Sequence, residues 1–151
     1  MRAYDYRLLR YRKLCFGSYV MEITLFSPNP HGIISAIPSK SYAHRALICA
    51  ALSDGKTEIR CSRSSRDIDA TVSCLRSLGA EIDCSDAGFT VYPVKNVPEF
   101  AILHPGESGS TLRFMLPTAA VLGTECEFVT EGRLSSRPLS PLSDELERHG
   151  A

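Results

Sequence analysis

No apolar run in this chain of 151 residues approaches the ~18–20 residues that a helix needs to cross a bilayer. A membrane-spanning helix is therefore excluded. Charge of one sign is not in excess either, because 17 Lys and Arg meet 17 Asp and Glu. A balance of zero argues against bulk attraction to nucleic acid or anionic lipid, which needs a basic face. The six cysteines contain no C-x-x-C pair and the four histidines are scattered, so no metal site is expected. Wide cysteine spacing suits reduced thiols in the cytoplasm better than a disulfide framework. A G-x-S-x-G elbow, a Ser/His/Asp order and a nucleophilic cysteine context are also missing. Gly55-Lys56-Thr57 has the look of a phosphate-loop tail, but Ala50 stands where the first glycine belongs and a helix precedes it.

What remains is globular in texture, with 44% hydrophobic and 23% charged residues. A domain of this length buries roughly 68–70% of its extended surface, so a real core is available. The first twenty residues differ from the rest. They hold Arg2, Arg7, Arg10, Arg12 and Lys13 against Asp5 alone, which leaves the body mildly acidic. Residues 1–20 are read as an extension or leader. They lack the apolar stretch of a secretory signal, while the Arg-rich texture leaves a transit peptide open. Tyr4, Tyr6 and Tyr11 leave base stacking open as well.

From Met21 onward the sequence carries an internal repeat of pattern βαβαββ. In the first unit, about 32–94, Gly32 to Ile37 reads as a strand and Ser39-Lys40-Ser41 opens a helix. That helix has Ala43, Leu47, Ala50 and Ala51 on one face, with Cys49 within its apolar pattern and Gly55 as its stop. His44 is read as an exposed helix residue. A strand follows at Thr57 to Arg60, then a helix from Asp67 bearing Ile68, Val72, Leu75 and Leu78, stopped at Gly79. Asp67 and Asp69 read as helix-start acids. Strands at Glu81 to Asp83 and Phe89 to Val94 close the unit.

The second unit, about 100–151, repeats the order. It runs from a strand at Phe100 to Leu103 to a helix opened by Glu107-Ser108-Gly109-Ser110 with Leu112, Leu116 and Ala119 inward. A strand at Cys126 to Thr130 and a helix over Leu139 to Arg148 follow. Arg45 answers Arg113, Leu52 answers Leu122 and Leu75 answers Leu146. This copy has no counterpart of the closing two strands, so a longer natural protein is expected. A half-domain that self-associates through its open apolar face is the alternative.

Three stretches place hydroxyls, glycine and arginine where an anion could sit. Pro38-Ser39-Lys40-Ser41 with Arg45 puts a helix N-terminus, a point charge and a guanidinium fork together. Gly106-Glu107-Ser108-Gly109-Ser110-Thr111-Leu112-Arg113 offers close backbone approach at Gly109, with Glu107 an unexpected neighbour for an anion. Gly132-Arg133-Leu134-Ser135-Ser136-Arg137-Pro138 adds two arginines and two hydroxyls before a helix. Each alone is equally well a capping loop or an exposed arginine. The first two occupy equivalent repeat positions, and a ligand with a phosphate and a carboxylate would suit the group.

Together, from about Met21 to Ala151, these stretches resemble the enolpyruvyl transferase family. The carriers are Pro38-Ser39-Lys40-Ser41 with Arg45-Ala46-Leu47, the Gly106–Arg113 stretch, and Ser136-Arg137-Pro138-Leu139. The resemblance implies an α/β protein of βαβαββ units in an inside-out barrel, roughly three times this long, with its site between two domains. It implies transfer of the enolpyruvyl group of phosphoenolpyruvate to the 5-hydroxyl of shikimate 3-phosphate, with release of phosphate. No cofactor, metal, nucleic acid or membrane partner is implied, and a full-length relative is expected to be a monomer.

By matching position, Lys40 is expected to touch both substrates, Ser41 and Arg45 the shikimate 3-phosphate, and Gly109 and Arg137 the phosphoenolpyruvate. Arg113 and Arg133 would support them. Many relatives have Asn where this chain has Glu107, which bears on inhibitors that mimic phosphoenolpyruvate. The family's acid/base carboxylate and lysine match nothing here, so the catalytic residues are unknown and the chain alone is expected to be inactive. A relative acting on UDP-N-acetylglucosamine fits less well, because it has Lys-Asn where Lys40-Ser41 stands and uses a loop cysteine. A non-catalytic interaction module is the reading from a different class.

Overall fold

Apolar residues at helical spacing dictate the first element of the body. In α1 (Lys40–Ala51), Ala43, Leu47, Ala50 and Ala51 are buried as a single stripe. The computed structural model describes Gly32, Ile33 and residues 36–151 in full, and the backbone of two further strands, 10–16 and 18–24. The chain divides into two compact units, Met1–Ala36 and Ile37–Ala151. In the first, β1 (Arg10–Phe16) pairs antiparallel with β2 (Ser18–Thr24), from Arg10 opposite Thr24 to Phe16 opposite Ser18. The hairpin runs through the change of composition at Met21.

In the second unit, α1 does not stop at Gly55. It ends at Ala51, where the Leu52 N–H donates to the Ile48 carbonyl and Ser53 Oγ to the Ala50 carbonyl. No left-handed glycine is needed there, and Gly55 has no positive φ. Cys49 falls on the exposed side of the helix rather than in its apolar stripe. After β3 (Thr57–Arg60), α2 (Arg66–Ser77) begins at Ser65, whose hydroxyl accepts from the Ile68 N–H at 3.4 Å. Asp67 and Asp69 in its first turn and Arg76 in its last complement the helix dipole. Gly79, at φ +99°, closes it, with the Ala80 N–H reaching back to the Leu75 carbonyl.

Two antiparallel strands follow, β4 (Glu81–Ser85) and β5 (Gly88–Tyr92), and the sheet order is β3-β5-β4. Ile59 lies opposite Phe89 and Ile82 opposite Val91, which puts one apolar face toward the helices. The expected strand at Gly32 to Ile37 falls partly outside the described residues. Gly32, Ile33, Ala36 and Ile37 have no strand partner among the described residues, and Ile33 and Ile37 are exposed. Ile34 and Ser35 lie outside the described residues.

The stretch expected to be the second unit contains a crossover. β6 (Phe100–Gly106) and β7 (Glu125–Thr130) are parallel and joined through α3 (Gly109–Leu122), as parallel neighbours require. Gly123, at φ +71°, ends α3. A single 3-10 turn at Leu134–Ser136 precedes α4 (Leu142–Arg148). This last helix starts three residues later than the sequence pattern suggests, after a turn in which the Leu142 N–H bonds the Leu139 carbonyl. It has no buried residue, whereas its repeat counterpart α2 has five. α2 is the centre of the unit, packed by α1, α3, β4 and β6. No described helix is long and apolar enough to cross a membrane.

Candidate functional site

Of the three serines that precede the longer helices, two act as caps. Ser65 and Ser108 accept from the N–H three residues on, while Ser39 makes no such bond. The first turn of α1 therefore has no side-chain cap among the described residues, and its N–H groups carry the positive end of the dipole. Ser41 is exposed on that turn. Lys40 Nζ lies 2.5 Å from Asp67 Oδ2 of α2. Arg45, just over one turn further on, donates to the Ser41 carbonyl at 3.1 Å and holds its guanidinium 5.4 Å above the Phe114 ring of α3.

The start of α3 supplies a second cationic focus. Arg113 donates to the Gly109 carbonyl at 3.1 Å and to the Pro138 carbonyl at 2.8 Å. Arg137 is carried in by the loop after β7, where buried Leu134 anchors the 3-10 turn and its carbonyl accepts the Arg137 N–H. A Cβ built on Gly109 would stand 2.9 Å from Arg113 Nη1 and 3.2 Å from Arg137 Nη1. Both guanidinium groups thus converge on one bare stretch of backbone. They line a hollow of about 480 Å³ with Asp67, Glu107, Ser108, Gly109, Ser110 and Phe114. Among the described residues, the Arg137 guanidinium has no ion pair or hydrogen-bond acceptor.

Behind the hollow runs a buried polar line. His44 Nδ1 is 2.7 Å from Thr71 Oγ1, which is 2.8 Å from Thr111 Oγ1. The single proton of Thr111 Oγ1 has two acceptors in reach, Ser108 Oγ at 2.8 Å and the Asp67 carbonyl at 3.1 Å. Burial lowers the His44 pKa, opposed by the Asp67 carboxylate and assisted by Lys40 and Arg45, so its neutral form is favoured. His44 is not the exposed residue its polarity suggests. It lies i, i+3 and i+7 with Leu47 and Ala51, which places it on the buried stripe.

Lys40, Arg45, Gly109, Arg113 and Arg137 are thus gathered around one hollow, Lys40 through Asp67 and Arg45 through Phe114. Ser41 stands on the adjoining helix turn, and Arg133 is exposed and outside the lining. Glu107 does line it, and its carboxylate leans over Gly132, where any side chain would collide with it. Asp67 does more than a helix-start acid, since its carboxylate holds Lys40 and its carbonyl holds Thr111. No sequence spacing signals that, because its partners lie 27 and 44 residues away. A second hollow of about 480 Å³ lies between α3, β7 and α4 and is lined by Leu116, Ala119, Cys126, Phe128 and Leu146. Apolar walls suit it to packing rather than to a polyanion.

A family profile described as EPSP synthase (3-phosphoshikimate 1-carboxyvinyltransferase) matches residues 28–151. A 3-phosphoshikimate 1-carboxyvinyltransferase of Clostridium kluyveri is 43% identical over 114 residues, covering 75% of this chain and 27% of that protein. Proteins of the same name from Clostridium botulinum and Methanococcus aeolicus are each 38% identical, over 125 and 123 residues. The chain spans 27–29% of the length of these relatives. A solved EPSP synthase from Acinetobacter baumannii superposes with a TM-score of 0.67 at 22% identity, over 80% of this chain and 28% of that one. The likeness to that structure is one of fold.

Proposed function

The chain belongs to the EPSP synthase family, and from that premise we propose that it carries one wall of a substrate site for enolpyruvyl transfer. The reaction joins the 5-hydroxyl of shikimate 3-phosphate to C2 of phosphoenolpyruvate while C3 takes a proton. Loss of phosphate and of a C3 proton from the tetrahedral intermediate then restores the enol ether. In this reading residues 32–94 and 100–151 are the first and second repeat units of the family fold, and the cytoplasm is the compartment.

The observation that most supports the reading is the convergence of Arg113 and Arg137 on Gly109. Two guanidinium groups beside a helix N-terminus match an oxyanion in charge and in fork geometry. Gly109 and Arg137 would take the phosphoenolpyruvate end, with Arg113 holding the loop through Pro138. Ser41 and Arg45 would take the 3-phosphate at the uncapped start of α1. Lys40, already beside the hollow on Asp67, would reach both. Cations gathered beside the hollow, with Arg113 tethered to two carbonyls, would stabilise the charge that develops as phosphate leaves.

Calorimetric titration of the 151-residue chain with phosphoenolpyruvate and with shikimate 3-phosphate tests this. Arg137→Ala is expected to weaken phosphoenolpyruvate binding about tenfold or more, in line with a lost charge-assisted hydrogen bond. Arg45→Ala should weaken shikimate 3-phosphate instead. Equal affinity in both variants would refute the assignment. The chain alone is expected to release no phosphate from the two substrates together, since general acid–base help of about 10²–10⁴-fold has no candidate among its assigned residues.

A further inference from the structure

Hydroxyl groups in a core cost stability unless they are paired, and valine would fill the space of threonine without that cost. Thr71 and Thr111 are nevertheless both fully buried, between α1, α2 and α3, and joined to each other. Their protons can be traced. The Asp67 carbonyl only accepts, and both threonine hydroxyls lie within 3.3 Å of it. Ser108 Oγ accepts from the Thr111 N–H at 3.2 Å and from Thr111 Oγ1 at 2.8 Å. Both of its lone pairs are then used, and its own proton is left without an acceptor in the line. Ser108 also lines the hollow beside Gly109 and Arg137.

The far end sets the direction. His44 Nδ1 touches Thr71, while Nε2 is buried without a partner. A proton on Nε2 would bury a bare N–H, the rarer and costlier orphan. With the proton on Nδ1, the ring donates to Thr71, and each threonine spends its one proton on its 2.8 Å contact rather than on the Asp67 carbonyl at 3.1–3.3 Å, so the line runs from His44 toward Ser108. We propose that Ser108 is a further anion-binding residue of the hollow, its hydroxyl proton turned outward by the directed line His44–Thr71–Thr111. Thr71 and Thr111 are the positioning residues of that line. The ligand is the oxygen of a phosphate or carboxylate held between Arg137 and the start of α3. The inference rests on the hollow being the anion site proposed above.

The test titrates the full 151-residue chain with inorganic phosphate, comparing the native protein with Thr111→Val, Thr111→Ser and Arg137→Ala. Thr111→Val keeps the Ser108 cap through the Thr111 N–H and removes the aiming hydroxyl together with its contacts to Thr71 and the Asp67 carbonyl. It is expected to weaken phosphate about three- to tenfold, less than the roughly 10- to 150-fold of a hydrogen bond to a charged group lost outright, because the Ser108 hydroxyl stays and loses only its aim. Thr111→Ser should restore the affinity, which a packing defect would not explain. Imidazole 15N shifts of His44 should show the proton on Nδ1. If Arg137→Ala weakens phosphate and Thr111→Val does not, the inference fails and the anion site stands. If neither weakens it, the site fails and the inference with it. Should Thr111→Val not fold, the native His44 tautomer decides, because a proton on Nε2 reverses the line and overturns the proposal.

Discussion

Gly109→Ala separates the folding role of this position from its binding role. Gly109 is the first residue of α3 and is absent from the glycines of positive φ, so alanine adopts its backbone without strain. Loss of unfolded-state freedom should then favour the variant by about 0.4–1 kcal/mol. Against this, the new Cβ stands 2.9 Å from Arg113 Nη1, 3.2 Å from Arg137 Nη1 and 3.7 Å from Leu134 Cδ1. The two close atoms are tips of long side chains. Arg113 is tethered to two carbonyls and Arg137 is not, so Arg137 should swing away first. Some loss of the 3.1 Å bond from Arg113 to the Gly109 carbonyl would cost about 0.5–1.5 kcal/mol. The two effects nearly cancel, and the melting midpoint should stay within about 4 °C. Binding has no such compensation. An anion loses its closest approach to the backbone and one guanidinium contact, about 1.5–3 kcal/mol, or roughly 10- to 150-fold in affinity for phosphoenolpyruvate. Thermal melts and calorimetry on the same samples read both. A variant that melts near the native temperature and binds as tightly would refute the convergence of the two arginines as the basis of the site.

Gly88→Ala should behave in the opposite way. Gly88 has φ +142° and a Cβ there would run into the Ile59 carbonyl and 2.7 Å from the Cys61 N, so backbone must move. A loss above about 3 kcal/mol in urea unfolding is expected. Burial pushes the Cys74 thiol up to about 11 from an ordinary 9.0, with Cys126 adding to it and a backbone bond at His104 opposing it. The folded state holds that proton longer, so its stabilising effect is intact below about pH 9 and is lost as pH rises toward 11. The difference between native chain and Cys74→Ala in unfolding free energy should change by about 2–3 kcal/mol across that window; a constant difference would refute it. In the folded chain at pH 8, a thiol reagent should label exposed Cys49 and Cys84 before buried Cys61 and Cys74. His44, held below its ordinary 6.5 by burial, carries the opposite sign. The unfolded state gains a proton first, so stability should fall as pH drops through 6.5, and His44→Gln should flatten that slope in urea midpoints measured from pH 5 to 7.5.

Local periodicity made much of this fold legible. Ala43, Leu47, Ala50 and Ala51 announce the buried stripe of α1, and Ile68, Val72, Leu75 and Leu78 that of α2, because helix spacing is a property of neighbours in sequence. The opening of α3 at Ser108 and the stop of α2 at Gly79 are likewise local. Gly32 to Ile37 reads as a strand, yet its described residues Gly32, Ile33, Ala36 and Ile37 are in none, because a strand needs a partner that no local pattern can supply. His44 was hidden by its polarity, since only contact with Thr71 and Phe114 shows why a histidine tolerates burial. The resemblance singles out Lys40, Arg45, Gly109 and Arg137 from their motifs, and the helices bring these residues around one hollow. The Lys40–Asp67 pair and the link from Thr111 to the Asp67 carbonyl are long-range, so they become visible only with the helices docked.

The central place of α2 bears on how the protein comes apart. A repeat in sequence invites the picture of modules that fold and evolve separately, like beads. Here the helix of the first repeat lies against β6 of the second, and Thr71 is bonded to Thr111 across 40 residues. A cut in the connection between Val94 and Phe100 would therefore not yield two autonomous pieces. Each half would expose the surface that α2 and β6 now share, and the two should melt in one cooperative transition. A repeating pattern of elements and thermodynamic independence are different things, and the contacts of α2 argue against the second in this chain.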